Sequence, residues 1–279
     1  MTLDLSAVGQ ELPPTTFTYT DRDVILYALG VGAGADDLSL VYEGHKAGLQ
    51  VLPTFGVVPA FPALLAIVGL LKFNPMMLVH GEQKLEVHNP IPIKGELTTN
   101  AKIAGIYDKK RMASVVIEAE TAGPDGTTLF TNTFTAMILG EGGFGGERGP
   151  IPEQHNPPNR EPDHTIEYQT SPNQAALYRL SGDRNPLHID PDFAKLAQFD
   201  RPILHGLCTF GFVGRAVLEK VCGGDTTQLK GLEVRFAKPV LPGETIVTSI
   251  WREGQTAILQ AKVAERDETV ISHAVATLA

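Results

Sequence analysis

The sequence predicts an α+β fold, an antiparallel sheet packed against a long helix, and predicts it twice over. In each half, helical patterns come first and a run of strand-like segments follows. Three segment pairs echo one another in the same order along the chain. DVILYALGVG (23 to 32) resembles QAALYRLSGD (174 to 183), LVHG (78 to 81) resembles ILHG (203 to 206), and VHNPIPIKGEL (87 to 97) resembles VRFAKPVLPGET (234 to 245). Between the halves, GEGGFGGERGPIPEQHNPPNREP (140 to 162) is dense in glycine and proline, the composition of a linker.

These features divide the chain into an N-terminal half (1 to 140), a linker (141 to 165) and a C-terminal half (166 to 279). The first half opens with an amphipathic helix at 21 to 29, and a second helix follows it. Its strand patterns are ELTTNAKIAGIYD, ASVVIEAETAG and LFTNTFTAMILG, with Asp125-Gly126 as the turn between the last two. In the second half, Ser171-Pro172 starts a helix over 172 to 181, where Ala176, Leu177 and Leu180 recur at helical spacing. A long helix at about 206 to 221 shows almost no polar face, which predicts burial. Strands follow at 244 to 253, 257 to 266 and 269 to 278. If the sheet curls around the long helix, this is a hot-dog arrangement.

Composition narrows the function. With 279 residues, 43% of them hydrophobic, the chain can bury a large core, as one large domain or two ordinary ones. No run of about 18 or more apolar residues, the length of a membrane helix, is read in it, and the first residues lack the pattern of a secretory signal. Two cysteines, Cys208 and Cys222, are too few for a disulfide framework, so a reducing compartment is expected. A net charge of −9 without any lysine or arginine cluster excludes nucleic acid as the expected partner.

The chemistry concentrates in SGDRNPLHID (181 to 190). Proton transfer on a small substrate needs an acid and a base on a rigid backbone. Asp183 and His188 stand five residues apart, about 140° around a helix, so a helix would not aim both at one point. Pro186 forbids helix and Gly182 permits a turn, which predicts a tight loop that turns Asp183, Asn185 and His188 inward around one water. The same residue types also serve as ordinary turn and cap residues, and that reading stands beside the catalytic one. A metal site of Asp183, His188, Asp190 and His205 is also open, although Asp190-Pro191 suits a helix cap better. Farther along, His205-Gly206 leads into the long helix. The amide of Gly206 or Leu207 then lies at a helix N-terminus, where a developing oxyanion is favoured; close packing at Gly206 is the alternative.

The string YRLSGDRNPLHIDPDFAKLA, followed by FDRPILHGLCTFGF, resembles the hydratase 2 motif of the MaoC-like (R)-specific enoyl-CoA hydratases. YALGVGA, VYEG, LPTFG, HGEQ, the GGFGG linker and RFAKPVLPGET extend the resemblance over nearly the whole chain. It implies a double hot-dog fold that forms a homodimer and interconverts trans-2-enoyl-CoA and (3R)-3-hydroxyacyl-CoA without metal or other cofactor. It further implies that Asp183 and His188 activate water, that Asn185 orients the site, that Gly206 offers its amide to the thioester carbonyl, and that Glu43 matters functionally. Where the second half has LSGDRNPLH the first has LGVGAGADD, so one active site per chain is expected, with the N-terminal half, including 53 to 68, accommodating an acyl chain. Arg184, Lys195, Arg201, Arg235 and Lys238 are candidates for the coenzyme A phosphates.

Rival expectations are a thioesterase on the same fold, a dehydratase acting on acyl carrier protein, and a non-catalytic acyl-CoA-binding protein. The final Ala-Thr-Leu-Ala lacks a peroxisomal tripeptide, which leaves the cytoplasm as the expected location.

Overall fold

The computed structural model describes residues 3 to 151 and 153 to 279; Met1, Thr2 and Pro152, which fall in the predicted N-terminal half and linker, lie outside the described residues. The first half runs β1 (Thr15–Tyr19), α1 (Asp21–Gly30), α2 (Leu38–Val41), α3 (Val57–Leu71), β2 (Leu78–Val87), β3 (Gly95–Asp108), β4 (Met112–Ala122) and β5 (Thr128–Leu139). The second runs β6 (His164–Gln169), α4 (Gln174–Tyr178), α5 (Pro191–Leu196), α6 (Gly206–Lys220), β7 (Leu229–Phe236), β8 (Thr245–Glu253), β9 (Thr256–Val263) and β10 (Glu268–Leu278). Among the described residues, ten strands form one antiparallel sheet in the order β1-β3-β4-β5-β2-β7-β10-β9-β8-β6. Read inward from its two ends, the order is the same in each half, which is duplication at the level of topology.

The halves join where β2 pairs with β7, from Glu82 opposite Arg235 to Glu86 opposite Gly231. Period-two burial decides which face of the sheet is covered. On β3, Leu97, Thr99, Ala101 and Ile103 point inward; on β9, Ala257, Leu259, Ala261 and Val263 do. Helix α3 lies on the strands of the first half and α6 on β7 and β8 of the second, giving the double hot-dog fold. Every residue of α6 from Leu207 to Leu218 is buried, as its apolar sequence predicts. Gly211 and Gly214 permit that depth, since a Cβ on either would approach Val31 or Thr54 to 2.3 and 2.4 Å. Helices α1 and α4 pack together through Tyr27 and Tyr178, whose rings lie 6.1 Å apart, so the first sequence echo marks equivalent positions.

Three expectations need correction. The echo of LVHG with ILHG is not an equivalence, because the first lies on β2 and the second leads into α6. The helix expected over 172 to 181 is a single α-helical stretch, α4, continued by a 3₁₀ turn at Arg179–Ser181, because Gly182 at φ 131° takes the chain out of helix. An apolar run of membrane length does exist: Pro53–Leu71 is 19 residues of helix with mean hydropathy 2.1. Its prolines make it read as short pieces, but Pro53 opens a 3₁₀ turn, Pro59 falls in the first turn of α3, where no amide hydrogen is required, and α3 runs on through Pro62 inside it. The fold accounts for the apolarity, since 67% of the run is buried inside it.

Candidate active site

The segment after α4 builds its turns from its own polar side chains. Asp183 Oδ1 accepts the amide of Asn185 at 3.0 Å, and Asn185 Oδ1 accepts that of Leu187 at 3.0 Å, capping a 3₁₀ turn at Pro186–His188. Asp190 then caps α5 by accepting the amides of Asp192 and Phe193. The turn-and-cap reading of these residues is therefore correct, and it coexists with a second use. Asp183 keeps Oδ2 free of the turn, 3.8 Å from Nε2 of the buried His188.

The backbone fixes the His188 tautomer. Nδ1 stands 2.9 Å from the carbonyl oxygen of Ile203, an acceptor only, so Nδ1 carries the hydrogen and Nε2 presents its lone pair toward Asp183. At 3.8 Å the two do not hydrogen-bond directly, and the gap suits a bridging water. Burial pulls the His188 pKa below its ordinary value of 6.5, opposed by the Asp183 carboxylate and the Ile203 carbonyl.

His205 closes the other side. Its ring stacks on His188 at 3.7 Å between centroids and 29° between planes, and Tyr178 lies 4.9 Å away beyond it. His205 Nε2 donates to the main-chain oxygen of Asp183 at 3.2 Å. Burial, and then His188 beside it, hold the His205 pKa well below the ordinary range. The next residue, Gly206, opens α6, whose first amides have no intrahelical acceptor and carry the positive end of the helix dipole. A Cβ at Gly206 would come to 3.3 Å from the Phe236 ring, which itself packs against His80 at 4.9 Å.

Asp183 and His188 come together as expected, and His205, stacked on His188, leads into Gly206 at the start of α6; Asn185 does not turn inward but is exposed, with its Oδ1 accepting the Leu187 amide. The metal reading is only partly matched: atoms of Asp183, His188 and His205 lie within 4.8 Å of one another, while Asp190 is committed to its cap. His205 moreover needs its Nε2 hydrogen for the Asp183 carbonyl, so that nitrogen has no lone pair for a metal. Glu43 lies exposed in the loop after α2, and its carboxylate makes no hydrogen bond or ion pair among the described residues. Of the coenzyme A candidates, Arg184, Arg201 and Lys238 are exposed, and Lys195 stands 3.8 Å from Asp192. Arg235 is not a free cation: its Nε donates to Glu82 at 2.8 Å across the β2–β7 seam. Sequence reasoning assigned His205 only a cap or a metal, and it missed the aromatic wall of Phe236 and His80. The one signal for His205 was its place directly before the glycine that opens a buried helix.

A carboxylate and an imidazole facing one small gap beside a helix N-terminus, on a doubled hot-dog scaffold, define a MaoC-like protein, and residues 153–274 match the MaoC like domain. Residues 17–140 match the MFE-2 hydratase 2 N-terminal domain. The chain belongs to the hydratase 2 family of MaoC-like proteins. It is 42% identical over 288 residues to the peroxisomal enoyl-CoA hydratase 2 of Arabidopsis thaliana, covering 95% of this chain and 92% of that one. It is also 48% identical over 280 residues to the peroxisomal multifunctional enzyme type 2 of Mus musculus; that match takes in 97% of this chain but only 38% of the mouse enzyme. Among solved structures, the MaoC-like dehydratase of Phytophthora capsici superposes with a TM-score of 0.90 at 34% identity, over 99% of this chain and 98% of that one.

Proposed function

We propose that the chain adds water reversibly across trans-2-enoyl-CoA to give (3R)-3-hydroxyacyl-CoA. The observation that carries this reading is the pair of Asp183 Oδ2 and His188 Nε2 facing each other across 3.8 Å beside the start of α6. Hydration puts the water oxygen on Cβ and a proton on Cα, with negative charge building on the thioester oxygen between. His188, with its lone pair fixed by Ile203, takes the proton from water as oxygen attacks Cβ. Asp183 relays that proton to Cα, which returns both groups to their starting state. The Gly206 amide faces the thioester oxygen, a contact worth about 3 to 4 kcal/mol by analogy with removal of oxyanion-hole donors.

The family supports an acyl-CoA substrate. The acyl chain is of medium length or longer, and the N-terminal half with α3 accommodates it; no metal or other cofactor is required, and the chain works as a homodimer. Arg184, Arg201 and Lys238 are the better candidates for the coenzyme A phosphates, since Arg235 is held by Glu82. The test follows the enoyl thioester absorbance with trans-2-decenoyl-CoA and then the chirality of the product. A (3R)-hydroxy product that is abolished in Asp183→Asn and His188→Gln supports the reading. Binding with the absorbance unchanged overturns it in favour of an acyl-CoA-binding protein, and release of free thiol overturns it in favour of a thioesterase.

A further inference from the structure

We propose that His205 is a positioning residue for this hydration, one that holds the His188 ring and the Asp183 main chain in register with the Gly206 amide. The inference rests on the hydratase reading above and assigns a task to a residue that takes no proton in it. Three contacts converge on the one side chain. Its ring lies face to face with His188 at 3.7 Å, its Nε2 hydrogen goes to the Asp183 carbonyl at 3.2 Å, and its own main chain leads into the first residue of α6. The base, the acid and the oxyanion donor are separated by 23 positions in the sequence, from Asp183 to Gly206, and His205 touches or adjoins all three.

The chemistry of the side chain fits that task. Only 1% of His205 is exposed, and its Nδ1 is buried without a hydrogen-bond partner. Protonating Nδ1 would strand a donor and a charge in that pocket, next to a ring that itself gains a proton during turnover. The groups facing His205 set the same direction: Arg179 and His188 disfavour a positive charge, Tyr178 and buried Cys208 are neutral, and the Asp183 carbonyl holds the Nε2 hydrogen. His205 therefore stays neutral as the Nε2–H tautomer while His188 cycles. A flat, uncharged ring restrains the imidazolium of His188 without repelling it. Replacing it with a shape that lacks the hydrogen frees the Asp183 carbonyl and lets the 183 to 188 turn drift.

The test compares His205→Leu, which loses both stack and hydrogen, with His205→Gln, whose amide nitrogen reproduces the position of Nε2. Misplacement of reacting groups by about 1 Å costs about 100-fold, so the Leu variant is expected to lose about that in kcat with KM for trans-2-decenoyl-CoA nearly unchanged. The Gln variant is expected to regain at least a tenth of the lost rate. Equal losses in the two variants, or KM moving in step with kcat, would overturn the proposal. A second measurement needs no variant: long-range nitrogen–proton NMR of histidine-labelled wild-type protein reads the tautomer and charge of each ring. A neutral Nε2–H His205 through the acid limb of the rate profile supports the assignment, even if both variants fail to fold. An Nδ1–H tautomer, or a protonated ring within the active pH range, refutes it. Should the wild-type protein not hydrate the substrate at all, the functional reading falls while the NMR result still judges the arrangement.

Discussion

Replacing Asp183 by Asn removes a charge and changes almost nothing in shape, which makes it the sharpest perturbation of the site. On the proposed course, His188 becomes an imidazolium as it takes the proton from water, with 3.8 Å between its Nε2 and Asp183 Oδ2. At an effective dielectric constant of about 20, opposite unit charges at that separation attract by about 4 kcal/mol. Losing this in the transition state slows turnover by about 10³-fold. His188→Gln is expected to cost a similar factor, since general acid–base groups contribute about 10² to 10⁴ each. Both residues act on one water, so the double variant should be no more than about tenfold slower than either single variant, a strong departure from additivity. The assay is the initial rate of enoyl absorbance loss at saturating trans-2-decenoyl-CoA, with circular dichroism to verify folding. A folded Asp183→Asn protein within tenfold of wild type, or a double variant whose loss is the product of the single losses, would refute the shared-water geometry.

Burial holds the His188 pKa below 6.5, so kcat/KM should stay level as pH falls through 6.5 and drop only on the acid side of it; a limb centred above 6.5 in a rate profile would contradict the buried base. Desolvation of His80, whose half-buried ring packs against Phe134 and Phe236, lowers its pKa to about 4, so the unfolded chain takes up this proton first as pH falls from 6.5. Stability is thus full above 6.5 and is lost toward 4, by about 2 to 3 kcal/mol at pH near 4.5, and urea titrations should show that part of the acid loss disappearing in His80→Phe. Asp37→Ala leaves Arg215 buried at 7% exposure without the ion pair that Asp37 makes at 3.0 Å, for a cost of about 3 kcal/mol in urea unfolding; because Arg215 also stacks over Tyr168 at 3.7 Å, Asp37→Ala/Arg215→Met should recover most of it.

What the sequence disclosed, and what it withheld, follows the range over which each feature is determined. The turn from Asp183 to His188 was legible because Gly182, Pro186 and the Asp and Asn caps act on neighbours within a few positions. Helix α6 was legible because twelve successive buried residues leave their mark on composition. LVHG misled because four matching letters do not carry a conformation: β2 places them on a strand by pairing with β5 and β7, neither of which is local. Arg235 looked like a free cation because its partner Glu82 is 153 residues away and meets it only through sheet register. His205 was visible as a residue but not as a contact, since its stack with His188 depends on how the chain between them, which brings Ile203 back to the His188 ring, folds.

The seam between β2 and β7 also bears on how such a chain can be taken apart. Five residue pairs close what would otherwise be two open strand borders, one on each half. Cut in the linker, each half would present a matching unpaired border, and the two pieces should find each other in solution and rebuild the sheet. A half expressed alone has only its own kind to pair with. Linking the two in one chain therefore does more than join duplicates: it fixes which border meets which, and it lets one copy drop the turn while the other keeps Asp183, His188 and the start of α6 in a single place.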